Sequence, residues 1–183
     1  VKSVETTALR LADFSRITIA HNPNSNLKLG SGVMDLTGLA ARTGKIALGT
    51  DGAASNNRLD MWGEMRCAAL LHKGIQKDPT ALSARDALRM ATYEGAAGLG
   101  FEKNGLLREG WAADLVLVDL DGPHYLGIDE DNAALFIVYA GSSADVRGTM
   151  VAGRWVYRDG QFPRLDRDEI IERAAGIRAD LLS

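Results

Sequence analysis

The spacing of hydrophobic positions changes once along the chain, near Gly105. Before that point, short β-branched runs alternate with stretches in which apolar residues recur every three or four positions. Residues 16–20 (RITIA) and 45–48 (KIAL) read as short strands. Residues 6–14, with Leu9, Leu11, Ala12 and Phe14, read as the end of a helix. Residues 33–42 place Val33, Leu36, Leu39 and Ala40 at helical spacing, and Gly44 can stop that helix. Residues 60–73 form another helix, with Met61, Met65 and Ala68 on one face and Gly74 closing it. Ser83 and Asp86 have capping-box spacing and open a helix through Ala87, Leu88, Ala91 and Gly95. Residues 21–26 and 50–57, rich in turn formers, are loops that follow the two strands.

This alternation implies parallel strands covered by helices. In such folds functional side chains gather at the carboxyl edge of the sheet, where both polar loops fall. Two strands do not close a sheet, and a whole (β/α)8 barrel takes roughly 250 residues. After Gly105 the runs shorten and turn residues separate them. Residues 113–120 (ADLVLVDL), 134–139 (ALFIVY) and 146–157 (VRGTMVAGRWVY) read as strands of a small β module, with a turn at Asp159-Gly160. Asp166 and Glu169 repeat the capping-box spacing. Ile170, Ile171, Ala174, Ile177 and Leu181 then make the apolar stripe of an amphipathic helix expected to dock on the rest. The expected division is an alternating β/α part over 1–104 and a β segment with a carboxyl-terminal helix over 105–183.

Composition narrows the classes. The chain has 183 residues, 46% of them apolar and 25% charged, which suits an ordered globular protein. A net charge of -3 argues against nucleic-acid binding held by bulk electrostatics. One cysteine, Cys67, excludes an internal disulfide framework and fits a reducing, cytoplasmic setting. No apolar run approaches the ~18 residues of a membrane helix, so no membrane partner is expected. The opening residues lack both a signal-peptide pattern and an initiator methionine, so the chain is expected to begin inside a longer protein.

Asp51 is the leading chemical candidate. A carboxylate directly after a buried parallel strand points into the mouth of the sheet, where it can bind a cation or pass a proton; it can equally make an Asx turn. His21 holds the matching place after the first strand and can bind substrate, metal or a proton, or be a hydrogen-bonded structural residue. Asn22, Asn24, Ser25 and Asn26 suit a polar small molecule or a tight turn. Gly30-Ser31-Gly32 lacks the spacing of a phosphate loop. Ser55 and Asn56 can contact a ligand or fix their own loop. Glu64 and Arg66 read as surface or second-layer helix residues, Cys67 as core, and His72 as a helix-end residue. His124 lies in a loop remote in sequence from both clusters.

Residues 21–30 (HNPNSNLKLG) and 48–57 (LGTDGAASNN) together resemble the amidohydrolase superfamily, closest to its 5′-methylthioadenosine/S-adenosylhomocysteine deaminase branch. Residues 110–119 (GWAADLVLVD) and 151–157 (VAGRWVY) are similar to the β-sandwich end of those enzymes. The resemblance implies an α/β fold: the carboxyl-terminal part of a (β/α)8 metal-dependent hydrolase barrel, part of a small β-sandwich and a carboxyl-terminal helix. It makes residues 1–104 a partial (β/α) barrel and the two strands its seventh and eighth. Asp51 then matches the aspartate that ligates a single divalent metal, zinc, and handles the proton of the attacking water. His21, Asn22, Ser25 and Asn26 would line the substrate end. The superfamily's histidine ligands, on the first and fifth strands, and its catalytic histidine after the sixth have no counterpart here. The metal is therefore expected to be completed by a missing amino-terminal segment or a partner chain, and the isolated chain to be inactive. The implied reaction is hydrolytic deamination of an adenosine-type purine thioether. Alternatives are another amino-heterocycle of triazine, guanine or cytosine type, or a non-catalytic packing or assembly subunit. Uncovered strand edges and helix faces would favour a homo-oligomer.

Overall fold

The structure is a computed structural model that describes residues 17–43 and 45–182. The helix expected over 6–14 and the stop expected at Gly44 lie outside the described residues. The described chain divides into two units, one ending at Trp111 and resuming over Leu120–Asp145, the other formed by Ala112–Asp119 and the residues from Val146.

The first unit is built on two parallel strands, β1 (Ile19–His21) and β2 (Ile46–Leu48), with Ile19 opposite Ile46 and His21 opposite Leu48. All three β2 residues are buried, as an unbroken apolar run in a helix-covered parallel strand should be. Helix α1 (Pro23–Lys28) starts two residues after β1, where the sequence predicts a loop. Pro23 explains the difference: at the first helical position its fixed φ suits the helix and its missing N–H is not needed. Helix α2 (Leu36–Thr43) then returns the chain to β2.

Helix α3 (Met61–Gln76) starts at Asp60, whose carboxylate accepts from the Trp62 N–H at 3.0 Å. It runs through Gly74, where the sequence predicts its end, and stops at Lys77, which takes the left-handed conformation with φ +53°. A single helical glycine costs only about 1 kcal/mol, which tertiary packing overrides. Ser83 caps α4 (Ala84–Ala91) as predicted, accepting from the Asp86 N–H. The expected continuation to Gly95 is a separate helix, α5 (Tyr93–Gly98), because Thr92 leaves the helical region.

The run 134–139, expected to be a strand, is helix α6 (Ala133–Tyr139). A seven-residue apolar run has no period that separates strand from buried helix, and here packing decides. Val138 is fully buried in the core with Met65, Ala68, Ala87 and Met90. The Arg66 guanidinium donates to the Val138 and Gly141 carbonyls, satisfying acceptors at the end of α6. The alanines Ala68, Ala69 and Ala87 are fully buried and let α3 and α4 approach closely.

The second unit is an antiparallel sheet in the order β3 (Leu115–Val118), β4 (Val146–Val151), β5 (Arg154–Arg158). The run 146–157, expected as one strand, is a hairpin. Ala152 and Gly153 have φ of +49° and +75°, the pair of positive values that a two-residue hairpin turn requires. A Cβ on Gly148 would press on the Trp155 ring, so that glycine lets the ring lie across β4. Helix α7 (Arg167–Leu182) is capped by Asp166, which accepts from the Asp168 and Glu169 N–H groups. Its predicted apolar stripe is present, but every described residue of α7 is exposed, so the expected docking does not occur within these residues. No described helix is long and apolar enough to cross a membrane.

These burials set one expectation for stability. Met65→Ala removes a core side chain and should cost about 2–5 kcal/mol. Ile177→Ala on exposed α7 should change stability by less than about 0.5 kcal/mol. Urea unfolding followed by circular dichroism measures both; equal losses would contradict the assignment of the core.

Candidate active site

Parallel pairing brings the ends of β1 and β2, and so α1 and the polar loop after β2, to one edge of the sheet. The Gly49 N–H donates to the His21 carbonyl at 3.0 Å. A side chain at Gly49 would collide with the Asn22 amide oxygen, so glycine is what allows the loops this close. Two residues on, Asp51 takes φ +59°, the left-handed region that Asp tolerates better than most residues.

The Asp51 carboxylate is exposed but held. Its Oδ2 accepts from the Ser55 hydroxyl at 2.6 Å and the Ser25 hydroxyl at 2.7 Å, and its Oδ1 accepts from the Gly52 N–H at 2.8 Å. The Ser55 hydroxyl, then Ser25, then the Gly52 N–H lower the carboxyl pKa below its ordinary 3.8, against a small opposing effect of burial. Asp51 is therefore an ionised carboxylate at neutral pH, with its orientation fixed from α1 and from its own loop.

Beneath it lies Glu64, fully buried in the first turn of α3. One Glu64 oxygen accepts from the Asn56 side chain at 2.5 Å, and the other from the Asn24 N–H at 3.2 Å. Asn56 also donates to the Thr50 carbonyl at 2.8 Å and accepts from the Arg58 N–H at 3.2 Å, closing the second loop on itself. Lys28 adds a tie from α1, donating to the Ala54 carbonyl and the Asn57 amide oxygen. A polar cavity of about 310 Å³, lined by Asn24, Lys28, Asn57 and Arg58 among others, opens beside this network.

His21 is only 1% exposed, and its ring is turned to α3, with Nε2 at 3.0 Å from Nε2 of buried His72. One ring donates and the other accepts, so at least one must be neutral at that nitrogen. Burial first, then the His72 charge, lowers the His21 pKa to about 4. Burial also lowers the His72 pKa, partly opposed by Asp35. His21 Nδ1 is buried without a hydrogen-bond partner among the described residues.

Of the predicted pocket residues, Ser25 meets Asp51, Asn22 lies against Gly49, and Asn26 is half-buried on α1. Ser55 and Asn56 do fix their own loop. Glu64 is fully buried, which excludes the surface half of its reading and agrees with the second-layer half, and His72 is buried about a turn before the end of α3 rather than standing at a helix end. Their signal was present: Glu64 is three residues from Met61 and four from Ala68, and His72 is four beyond Ala68, so both stand on the predicted apolar face. Burial, then the Glu64 charge, raises the Cys67 thiol pKa, which suits an inert cysteine. His124 pairs with Asp145 at 3.3 Å, apart from these loops in the chain.

A catalytic zinc takes about three protein ligands. Among the described residues no three His, Cys, Asp or Glu side chains come together as a metal-binding group. Asp51 has the chemistry of one ligand, and the described residues do not complete a centre.

Comparison with known proteins gives this geometry a context. The Amidohydrolase family profile matches residues 2–156. A 5-methylthioadenosine/S-adenosylhomocysteine deaminase of Dictyoglomus thermophilum is 46% identical over 158 residues, 86% of this chain and 37% of that protein. The chain thus spans just over a third of the length of the curated relatives it matches. Among solved structures, an adenosine deaminase of Xanthomonas campestris with bound zinc superposes with a TM-score of 0.83 at 36% identity, covering 89% of this chain and 37% of that one. An atrazine chlorohydrolase of Arthrobacter aurescens complexed with zinc gives 0.77 at 29% identity, covering 87% and 35%.

The histidine pair predicts a pH dependence. Folding favours the neutral His21, so its contribution is complete above about pH 6.5. It is lost as pH falls from 6.5 towards 4, because the unfolded chain takes up the proton first, and it levels off below that. The loss should reach about 3 kcal/mol. It precedes losses from carboxylates such as Asp51 and Asp78, whose lowered pKa values act only in more acid solution. Urea unfolding across pH 7 to 4 should show this slope, and His21→Gln should flatten it. A wild-type stability constant over that interval would contradict the buried pair.

Proposed function

The chain belongs to the amidohydrolase family, and from that premise we propose that it carries the Asp51 edge of a hydrolytic deaminase site for an adenosine-type nucleoside bearing a thioether. One observation carries the proposal: an ionised carboxylate at the carboxyl end of a buried parallel strand, fixed by Ser25, Ser55 and the Gly52 N–H. Deamination adds water to the ring carbon that bears the amino group, breaks the C–N bond and releases ammonia. A base must take a proton from the water. Asp51 Oδ1 accepts only the Gly52 N–H among the described groups, whereas Oδ2 accepts two hydroxyls, so Oδ1 is the oxygen we assign to that proton.

In this reading Ser25 holds Asp51, and Asn22 and Asn26 contact substrate. His21 supports the strand end beneath them. A divalent metal, zinc by likeness to the zinc-bound structures, has Asp51 as one ligand and the rest outside the described residues. The missing ligands come from a preceding segment or a partner chain. The named substrate of the Dictyoglomus thermophilum relative supports the adenosine-type thioether. The likeness to the atrazine chlorohydrolase supports a second reading, another amino-heterocycle attacked at a ring carbon in the same way.

The test is ammonia release from 5′-methylthioadenosine, a guanine and a triazine. The chain is assayed alone and co-expressed with the amino-terminal segment of the Dictyoglomus thermophilum deaminase that it does not span. We expect no turnover alone, turnover of the thioether in the complemented enzyme, and a kcat on the order of a thousandfold lower for Asp51→Asn. Near-normal kcat in Asp51→Asn would remove Asp51 from the chemistry and favour a packing role for the chain.

A further inference from the structure

Glu64 is an expensive residue to keep. It sits on the apolar face of α3 with no exposed surface and no Lys or Arg salt-bridge partner among the described residues. Desolvating a carboxylate costs several kcal/mol unless its oxygens are satisfied, and a hydrophobic side chain would pack there more cheaply. The start of a 16-residue helix offsets part of that cost through its dipole. The remainder is met by two donors from different elements, the Asn24 N–H in α1 and the Asn56 side chain in the loop after β2.

The position of those donors is informative. Asn24 immediately precedes Ser25, and Asn56 immediately follows Ser55. Ser25 and Ser55 are the two hydroxyls that converge on Asp51 Oδ2. Glu64 thus grips α1 and the loop after β2, each at the residue next to the serine it sends to Asp51. From this arrangement we propose that Glu64 is a positioning residue, which fixes α1 relative to the loop after β2 so that both serines meet one oxygen of Asp51.

The catalytic part of this proposal rests on the deaminase reading; the positional part stands without it. Misplacing a reacting group by about 1 Å can cost on the order of 100-fold in rate. Removing the acceptor shared by α1 and the loop after β2 is a direct way to cause such a shift. Arg66, two residues along α3, is occupied with carbonyls at the end of α6 and does not share this task.

Three variants test the proposal: Glu64→Gln, Asn56→Asp, and the two combined. Glu64→Gln sets one amide NH2 against another, and Asn56→Asp sets two carboxylates together. The double variant restores one donor facing one acceptor between positions 64 and 56, and the amide oxygen at 64 can still accept from Asn24, but the Thr50 carbonyl loses the donor that Asn56 gave it. Hydrogen exchange of the amides of residues 24–26 and 52–56, measured on the chain itself, should rise at least tenfold in each single variant and recover in part in the double, most fully at residues 24–26. In the complemented enzyme, Glu64→Gln should lower kcat about 100-fold with KM changed less than threefold, and the double should regain at least tenfold. Unchanged exchange in Glu64→Gln, or a double variant no better than the worse single one, overturns the proposal. If Glu64→Gln does not fold, a folded double variant supports the pairing and an unfolded one overturns it. If the complemented wild-type enzyme deaminates nothing, the deaminase reading fails, while the exchange measurement still decides the role of Glu64.

Discussion

The hydrogen bonds that meet on Asp51 and Glu64 constrain the rest of the site. One carboxylate is exposed and ionised, the other is buried, and α1 and the loop after β2 are tied to both. Ser25 and Ser55 converge on Asp51, while their chain neighbours Asn24 and Asn56 converge on Glu64. Neither carboxylate is held by a single element. The arrangement exists only when β1, β2 and α3 are all in place, so its geometry depends on the fold of the first unit.

That dependence explains features that are otherwise local. Gly49 lacks a side chain because the Asn22 amide occupies the space beside it. The left-handed Asp51 turns its carboxylate back towards Gly52 and Ser55. Helix α3 covers the strands with Met65 and Ala68 and sends two polar residues, Glu64 and His72, inward from the same face. His72 meets His21 at the end of β1, so the same helix reaches the strand end as well as Asn24 and Asn56. An apolar stripe alone would hold the helix to the sheet; the polar residues within it fix where the loops stand.

Much of this was legible in the sequence. The two short strands, the loop carrying Asp51 and the helix beginning after Asp60 follow from period and turn chemistry, and the carboxyl edge as the place of function follows from parallel pairing. The family could be read from the paired motifs around His21 and Asp51. Other features were not legible, for physical reasons. The run 134–139 is too short for its period to decide between strand and helix, and burial of Val138 against α3 and α4 settled it. Pro23 turned a predicted loop into a helix. The hairpin at Ala152-Gly153 was masked by the apolar residues on both sides of its turn. The full burial of Glu64 does not follow from its helix position, since a charged residue on a helix is ordinarily solvated, and only donors from α1 and from the loop after β2, distant in sequence, justify it.

The central claim is that Asp51 is a carboxylate held ionised by hydroxyls delivered from α1 and from the loop after β2. Carbon-detected NMR titration of the Asp51 carboxyl tests it most directly, in the wild-type chain and in Ser55→Ala. The account predicts a wild-type pKa below the ordinary 3.8 and a rise when the Ser55 hydroxyl is removed. An Asp51 that titrates at or above 3.8, unchanged by Ser55→Ala, would contradict it.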